Sequence, residues 1–417
     1  MRRIEEPEKP VRMTYDGAEI VGNDGEPIAV SLLGAGHAAV ARSPKFHRPR
    51  GPACMRAACD GCLARVDGVP NVMTCRTPAR NGADILTQNT LGTRDLDLLR
   101  VTDWFFPKGM NHHELFAGVV GVERLMQGFA RRVAGLGKLP ANVEKSKRAE
   151  RRSADALVIG CGPSGMCAAV ALAEKSRAVE IVDDALELGG SIRALAPKSG
   201  AWREIEDDFR QMVNAGKIRA RARTTAAAIY GDDVLVVGEN GLEVIDAKTT
   251  VIASGAHDGV LAFEGNDVPG VMSVRAALFA LSRGVIVGKK IAIVRSGGDS
   301  TFIDAFRAHV SEIEGVSVTV VEGTPVAVGG ASRARNVVVR QGKKEKKISC
   351  DAVLVDAARA PAYELAEQAG ARIEHRANGF FVMVDRGKIR DGFYAVGEVT
   401  GTPFDAAKMR GTSRVLD

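Results

Sequence analysis

The chain has 417 residues, 45% of them hydrophobic, with 57 basic and 51 acidic side chains and a net charge of +6. At roughly 150 residues per domain, that length accommodates about three domains and excludes a disordered chain or a disulfide-stapled miniprotein. The basic residues are dispersed and aromatics make up only 5%, so composition does not point to nucleic acid. Charge or glycine also interrupts every apolar stretch short of the roughly 20 residues that cross a bilayer.

From the N-terminus, MRRIEEPEKP has no apolar run after its arginines and is not expected to be a secretory signal. VRMTYDGAEIV alternates apolar and polar residues and predicts a hairpin, and EPIAVSLLGAG predicts a short helix. Residues 1–100 read as one small domain of turns and short strands. A segment over 101–152 follows, with helical periodicity from Glu114 to Val133. It holds the run Trp104, Phe105, Phe106, read as core, and the pair His112, His113, read as structural or surface residues. The basic stretch Lys145–Arg152 reads as a solvated linker.

From residue 153 the pattern becomes strand, glycine loop, helix, strand: ADALVIG, CGPSG, MCAAVALAEKS, AVEIVDD. It recurs as KKIAIV, RSGGDS, a helix through Val310, and VSVTVVE. Two such units predict two doubly wound α/β domains. The first is expected over 153–275 with a return over 376–417, and the second over 276–375. GKKEKK at 342–347 reads as an exposed hairpin turn.

Seven cysteines are present, and Cys54, Cys59, Cys62 and Cys75 have the spacing C-x4-C-x2-C-x12-C. The first three match the plant-type ferredoxin loop, in which small residues let the chain wrap a [2Fe–2S] cluster. Gly51, Ala53, Ala57, Ala58 and Gly61 are those small residues here. A β-rich segment before such a loop suits a ferredoxin-like β-grasp. The alternative for the same thiolates is a structural zinc site, which more often uses two C-x2-C hooks; here there is one. Cys161 and Cys167 read as packing residues, and Cys350 carries no assigned role.

Gly160, Gly162 and Gly165 form G-x-G-x-x-G, with Pro163 and Ser164 between the last two, after an apolar strand and before a helix. The first glycine permits the tight turn, the second lets the backbone approach a pyrophosphate, and the third lets helix and strand pack. The helix N-terminus supplies positive potential for the phosphates. Asp183, at the end of the next strand, is placed to accept from a ribose 2′-OH. Three features favour FAD over NAD. Gly189 and Gly190 follow the acid as in flavoproteins. TTVIASGA, which contains Gly255, resembles the stretch that closes an FAD domain. GFYAVGEV resembles the late strand whose Gly-Asp pair reaches the ribityl and pyrophosphate, here Gly397 and Glu398. His257 and Asp258 follow the first of these stretches without an assigned role.

RPRGPACMRAACDGCLARVDGVPNVMTC, FARRVAGLG, VIGCGPSG and NDVPGVMSVRAAL together identify a resemblance. From about residue 11 the chain resembles the FAD-carrying subunits of heteromeric amine and imino-acid dehydrogenases. That group includes the α-subunit of sarcosine oxidase, opine oxidases, dye-linked proline dehydrogenases and hydrogen cyanide synthase. The resemblance implies an α/β fold in which a ferredoxin-like β-grasp precedes a Rossmann-type flavoprotein with two dinucleotide-binding domains. It implies an FAD-dependent, cytoplasmic oxidoreductase subunit that relays electrons through FAD and a [2Fe–2S] cluster. A partner subunit with its own flavin would oxidise the amine or imino acid, and an FMN at a subunit interface is a further option. Neither the substrate nor the electron acceptor is legible, and no acid–base residue is assigned.

The chain departs from the family's pattern in three places. Its second loop reads Val294-Arg295-Ser296-Gly297-Gly298-Asp299-Ser300, with Arg295 and Ser300 at the first and third glycine positions. A side chain at the first position crowds the turn, so this site is expected to be degenerate for NAD; the retained Glu322 would disfavour NADP. The sequence ends at Asp417, shortly after Gly411, where the family continues; a weaker FAD site or one covered by a partner is the expectation. No C-x2-C pair lies beside the flavin-binding motifs, so dithiol chemistry is not expected. Two rival readings are a self-contained NAD(P)H-dependent reductase, which requires a working second loop, and a non-enzymatic assembly subunit with degenerate sites.

Overall fold

The computed structural model describes residues 1–44, 46–93, 96–101, 103, 121, 122, 124, 125, 128, 148–175, 177–195, 200–239 and 241–412. The helix expected over Glu114–Val133 lies largely outside the described residues, as do the run Trp104–Phe106, His112, His113 and residues 145–147 of the basic linker. The chain divides into two compact units. One comprises Met1–Val143, Leu261–Ser296 and Phe306–Val355; the other comprises Glu144–Val260, Gly297–Ala305 and Asp356–Asp417.

The first unit opens with a five-stranded sheet in the order Ala18–Asn23, Pro10–Tyr15, Asp84–Leu86, Leu63–Val66, Val69–Met73. Pro10–Tyr15 runs parallel to Asp84–Leu86, and the other neighbours are antiparallel. The expected hairpin is present. Its turn, Asp16-Gly17, has φ of 49° and 80°, the two left-handed residues that match the twist of paired strands. Asp67-Gly68 repeats the device at 50° and 82°. The expected helix spans Ile28–Gly34 and covers the sheet, burying Ile28 and Leu32 against Met13, Tyr15, Ala64 and Ile85.

The same unit holds a four-stranded sheet ordered Val271–Ser273, Ala352–Ala357, Lys290–Ser296, Ser317–Glu322. It also holds an antiparallel sheet of Thr324–Gly330, Ala334–Gln341 and Lys344–Ser349. The latter corrects the reading of GKKEKK. Lys344–Lys347 belong to a strand in register with Val338–Gln341, and only Gly342 and Lys343 make the turn. Backbone pairing does not depend on side-chain charge when the side chains point to water.

The second unit is built on a sheet ordered Ile218–Arg221, Val179–Val182, Glu150–Ile159, Gly241–Ile252, Asp233–Gly238, Thr225–Tyr230. Phe393–Ala395 adds in parallel to Gly241–Ile252. The strands around Glu150–Ile159 are parallel, and Ala156, Leu157 and Val158 are fully buried, as expected of a strand covered on both faces. This strand begins three residues before the expected boundary. Arg151 and Arg152 are therefore sheet residues: Arg151 pairs with Asp233, and Arg152 pairs with Glu180 and Glu243 at 2.6 and 2.7 Å. Arg221 joins the same two glutamates. The charge run looks solvated in sequence because its acidic partners lie tens of residues away. Residues 360–375, expected in the second dinucleotide domain, instead contribute Ala366 and Ala369 to the core of this sheet.

Candidate redox sites: a thiol loop and a glycine cradle

The segment from Gly51 to Cys62 has no regular structure. Met55 and Ala57 adopt φ of 53° and 59°, a left-handed conformation that costs side-chain-bearing residues about 1 kcal/mol or more each. These reversals turn the next amides inward: Arg56 N–H and Ala58 N–H donate to Cys54 Sγ at 3.4 and 3.3 Å. Glycine is required where the loop crosses itself. A Cβ on Gly61 would lie 2.0 Å from Gly51 O, and one on Gly51 would lie 2.4 Å from Ala38 O. Thr74, fully buried, donates its hydroxyl to Cys62 O at 2.8 Å and ties the third and fourth cysteines together.

The four thiols fall into two pairs. Cys54 is hydrogen-bonded to Cys59, and Cys62 to Cys75. The bond from Cys54 and backbone N–H groups of Gly61, Ala53 and Cys54 outweigh burial and bring Cys59 down to about 5. Cys75 likewise lowers Cys62. Cys54 and Cys75, donors within their pairs, are raised. Among the described residues no three His, Cys, Asp or Glu side chains converge where one ion would sit. Two thiol pairs suit two metal ions with two thiolates each, the donor set of a [2Fe–2S] cluster. A single tetrahedral zinc needs all four around one point. Every one of the four is a free thiol.

This loop is braced within its own unit. Ser273 N–H donates to Ala53 O at 3.0 Å, Arg50 pairs with Asp267 at 3.5 Å, and Pro269 lies against Gly51. NDVPGVMS is thus the backing of the thiol loop, a role with no signal in sequence.

In the second unit Gly160 turns at φ 98°, where a Cβ would lie 2.4 Å from Ala253 O. The helix Pro163–Glu174 begins with proline at its first turn, where no amide donor is lost. A Cβ on Gly165 would lie 1.9 Å from Gly160 O, so this glycine seats the helix on the loop. Gly162 faces open space: its nearest neighbour is Gly190 Cα at 3.9 Å. Gly190, at φ 54°, could not carry a side chain either, because its Cβ would lie 2.7 Å from Gly162 Cα. Gly189 N–H donates to Cys161 O at 2.9 Å. Gly397 completes the convergence, with a Cβ position 2.3 Å from Ser164 Oγ. Five glycines from three stretches of sequence and the first turn of a helix therefore form one backbone-lined cradle. It has the open second position and helix N-terminus that a dinucleotide pyrophosphate requires.

Three predicted residues sit differently. Asp183 accepts from Cys161 N–H at 2.6 Å and Ala185 N–H at 2.8 Å, so it first closes the glycine loop. Gly255 is left-handed at φ 75° with open space at its Cβ position, and its carbonyl accepts from Ala362 N–H. Glu398 Oε1 accepts from Arg359 Nε at 2.7 Å. Arg359 was not legible as a site residue, since no motif surrounds it. Cys161 is fully buried with its thiol well raised by that burial, and Cys167 is raised to about 11, which fits inert packing. His257 Nε2 lies 3.3 Å from Glu364 Oε1, on exposed side chains.

In the second loop the structure shows where the arginine goes. Arg295 Nη1 lies 3.1 Å from Glu322 Oε1, in register across neighbouring parallel strands. The acid that would meet a ribose is thus already paired.

Residues 8–90 match the model of a 2Fe-2S iron-sulfur cluster binding domain. The chain is 29% identical over 364 residues to the sarcosine oxidase α-subunit of Rhizobium meliloti, covering 80% of this chain and 36% of that one. It is 23% identical to one of the opine oxidase subunits of Agrobacterium tumefaciens, covering 59% and 61%. It superposes on L-proline dehydrogenase from P. horikoshii with a TM-score of 0.73 at 21% identity, covering all of this chain and 74% of that one. Together with the match over residues 8–90, that likeness supports a fold in which a ferredoxin-type domain precedes a dinucleotide-binding α/β fold. The chain spans about a third of the length of the sarcosine oxidase α-subunits it matches. Over that span it is similar to the sarcosine oxidase α-subunits.

Proposed function

We propose that this chain is the electron-relay subunit of a heteromeric amine or imino-acid dehydrogenase. The observation that carries this reading is the presence, in one chain, of a doubly paired thiol loop and a five-glycine cradle. Cys54 and Cys59 would hold one iron, and Cys62 and Cys75 the other. The glycines around Pro163 and Ser164 would hold the pyrophosphate of FAD, Asp183 its ribose, and Gly397 and Glu398 the ribityl side. Bound there, FAD supplies the exchange between two-electron and one-electron chemistry, and the cluster supplies single-electron transfer.

The chain's own residues have plain tasks. Backbone N–H groups of Arg56 and Ala58 hold Cys54 Sγ as an acceptor, and donors to a thiolate set the potential of an iron–sulfur centre. Gly162 keeps the cradle open to phosphate oxygens. Substrate recognition would belong to a partner subunit with its own flavin, and the acceptor to a separate component. No described helix is long and apolar enough to cross a membrane. The seven free thiols fit the reducing cytoplasm.

An anaerobic visible spectrum of the purified chain, with iron, sulfide and flavin quantified after denaturation, tests the reading. Near two irons, two sulfides and one FAD per chain is the expected result. Zinc in place of iron, or no flavin after reconstitution, overturns it.

A further inference from the structure

The second glycine loop keeps Gly297 and Gly298 yet is filled by the protein's own carboxylates. Asp299 Oδ1 accepts from Thr301 N–H at 3.1 Å, at the start of the helix Thr301–Val310. An anion is favoured at that end of a helix, and here the anion is a side chain. A Cβ on Gly298 would lie 2.4 Å from the carboxyl atoms of the buried Asp356, so the open glycine position receives an acid as well.

Arg359 converts this plug into a connection. Its Nη2 donates to Asp299 Oδ2 at 2.7 Å, and its Nε donates to Glu398 Oε1 at 2.7 Å. Its guanidinium lies over the rings of Phe302 and Phe404, at 5.2 and 5.6 Å. Its side chain is only 13% exposed, and that of Glu398 10%. A guanidinium held by two carboxylates and two ring faces is confined to one orientation. Its anchor on Asp299 therefore fixes where Glu398 points.

We propose that Asp299 and Arg359 form a strut that orients Glu398 toward FAD, and that the same strut closes the second loop to nicotinamide dinucleotides. Arg359 is thus a positioning residue, acting through Glu398. The arginine binds the carboxylate end of this glutamate, which stands where the family's usual residue is the shorter aspartate. This inference rests on the FAD reading above.

The test uses the full chain, reconstituted with FAD after removal of flavin. The readouts are the FAD dissociation constant, the visible flavin band and the melting temperature of the flavin-free protein. Arg359→Met is expected to weaken FAD by about tenfold or more, the cost of losing charge-assisted hydrogen bonds, and to shift the flavin band. Asp299→Asn is expected to weaken FAD by about threefold, since a neutral acceptor remains. Arg359→Lys, unable to span both acids, restores only part of the loss. The double variant Arg359→Met, Glu398→Gln binds FAD no more weakly than the worse single variant. Calorimetry with NAD at millimolar concentration shows no binding to the unaltered chain.

Wild-type affinity and an unshifted band in Arg359→Met overturn the strut, as do additive losses in the double variant. An Arg359→Met variant that melts early is set aside for Asp299→Asn, whose unchanged affinity and band overturn it equally. Tight NAD binding overturns the closure. A wild-type chain that takes up no FAD overturns the functional reading instead.

Discussion

The two glycine loops of this chain have the same strand–loop–helix scaffold and opposite contents. In the first, glycines stand wherever backbone meets backbone, at 1.9 Å for a Cβ on Gly165 and 2.7 Å for one on Gly190, and the second position is left open. In the second, Arg295 replaces the turning glycine and pairs with Glu322, while Asp299 caps the helix that would face a phosphate. A scaffold of this kind does not define a cofactor site. The site exists where the backbone is bare and the helix end is unoccupied, and it is lost when side chains of the same charge as the ligand move in.

The contrast can be broken most strongly at Gly165. Gly165→Val drives a branched side chain into Gly160 O, a backbone atom that cannot step aside. We expect a loss of about 3 kcal/mol or more and no flavin retained, read by urea unfolding and flavin content. Ser300→Val, at the matching place in the second loop, is expected to shift stability by less than about 0.5 kcal/mol; an equal loss at both would erase the distinction.

The ion pairs of the two sheets differ next. Arg221→Met leaves Glu180 and Glu243, 8% and 15% exposed, without one of the two arginines they share, at a cost of about 2 kcal/mol. Arg295→Met breaks a pair that is 40% and 67% exposed and is expected to cost less than about 1 kcal/mol. Gly190→Ala, with φ of 54° and a backbone contact, falls between them at about 1–2 kcal/mol, measured by the same unfolding curves.

A finer test uses acid. Hydrogen bonds from Arg221 and then Arg152 hold the Glu243 carboxyl below its ordinary 4.5. A carboxylate depressed on folding contributes stability above its unfolded value, and that contribution fades as pH falls through the folded value. Glu243→Gln should therefore be less stable than wild type at pH 7, with the difference shrinking below about pH 4.5. A constant gap down to about pH 3 would show that the charge of Glu243 is not the source.

Much of this was legible before the fold was known. The Asp16-Gly17 turn, the strand ahead of Gly160, the helix from Pro163 and the strands around the second loop all follow from local rules of periodicity and turn chemistry. The four cysteines and the glycines are legible because their spacing along the chain is itself the constraint. What was misplaced depends on distant partners. Arg151 and Arg152 look like linker until Asp233, Glu180 and Glu243 arrive from other strands. Residues 360–375 look like part of the second dinucleotide domain until Ala366 and Ala369 enter the core of the sheet built on Glu150–Ile159.

The sequence by itself determined the kinds of site this protein carries, because thiolate spacing and obligatory glycines are covalent, short-range facts. Tertiary structure alone decided that the thiols pair two by two, that Asp183 first closes its own loop, and that Arg359 binds Asp299 and Glu398 together. Those outcomes depend on hydrogen bonds of about 3 Å between residues up to 60 positions apart, which no local pattern encodes. A guanidinium has no motif; it acquires a role only when folding brings acids to both ends of its fork.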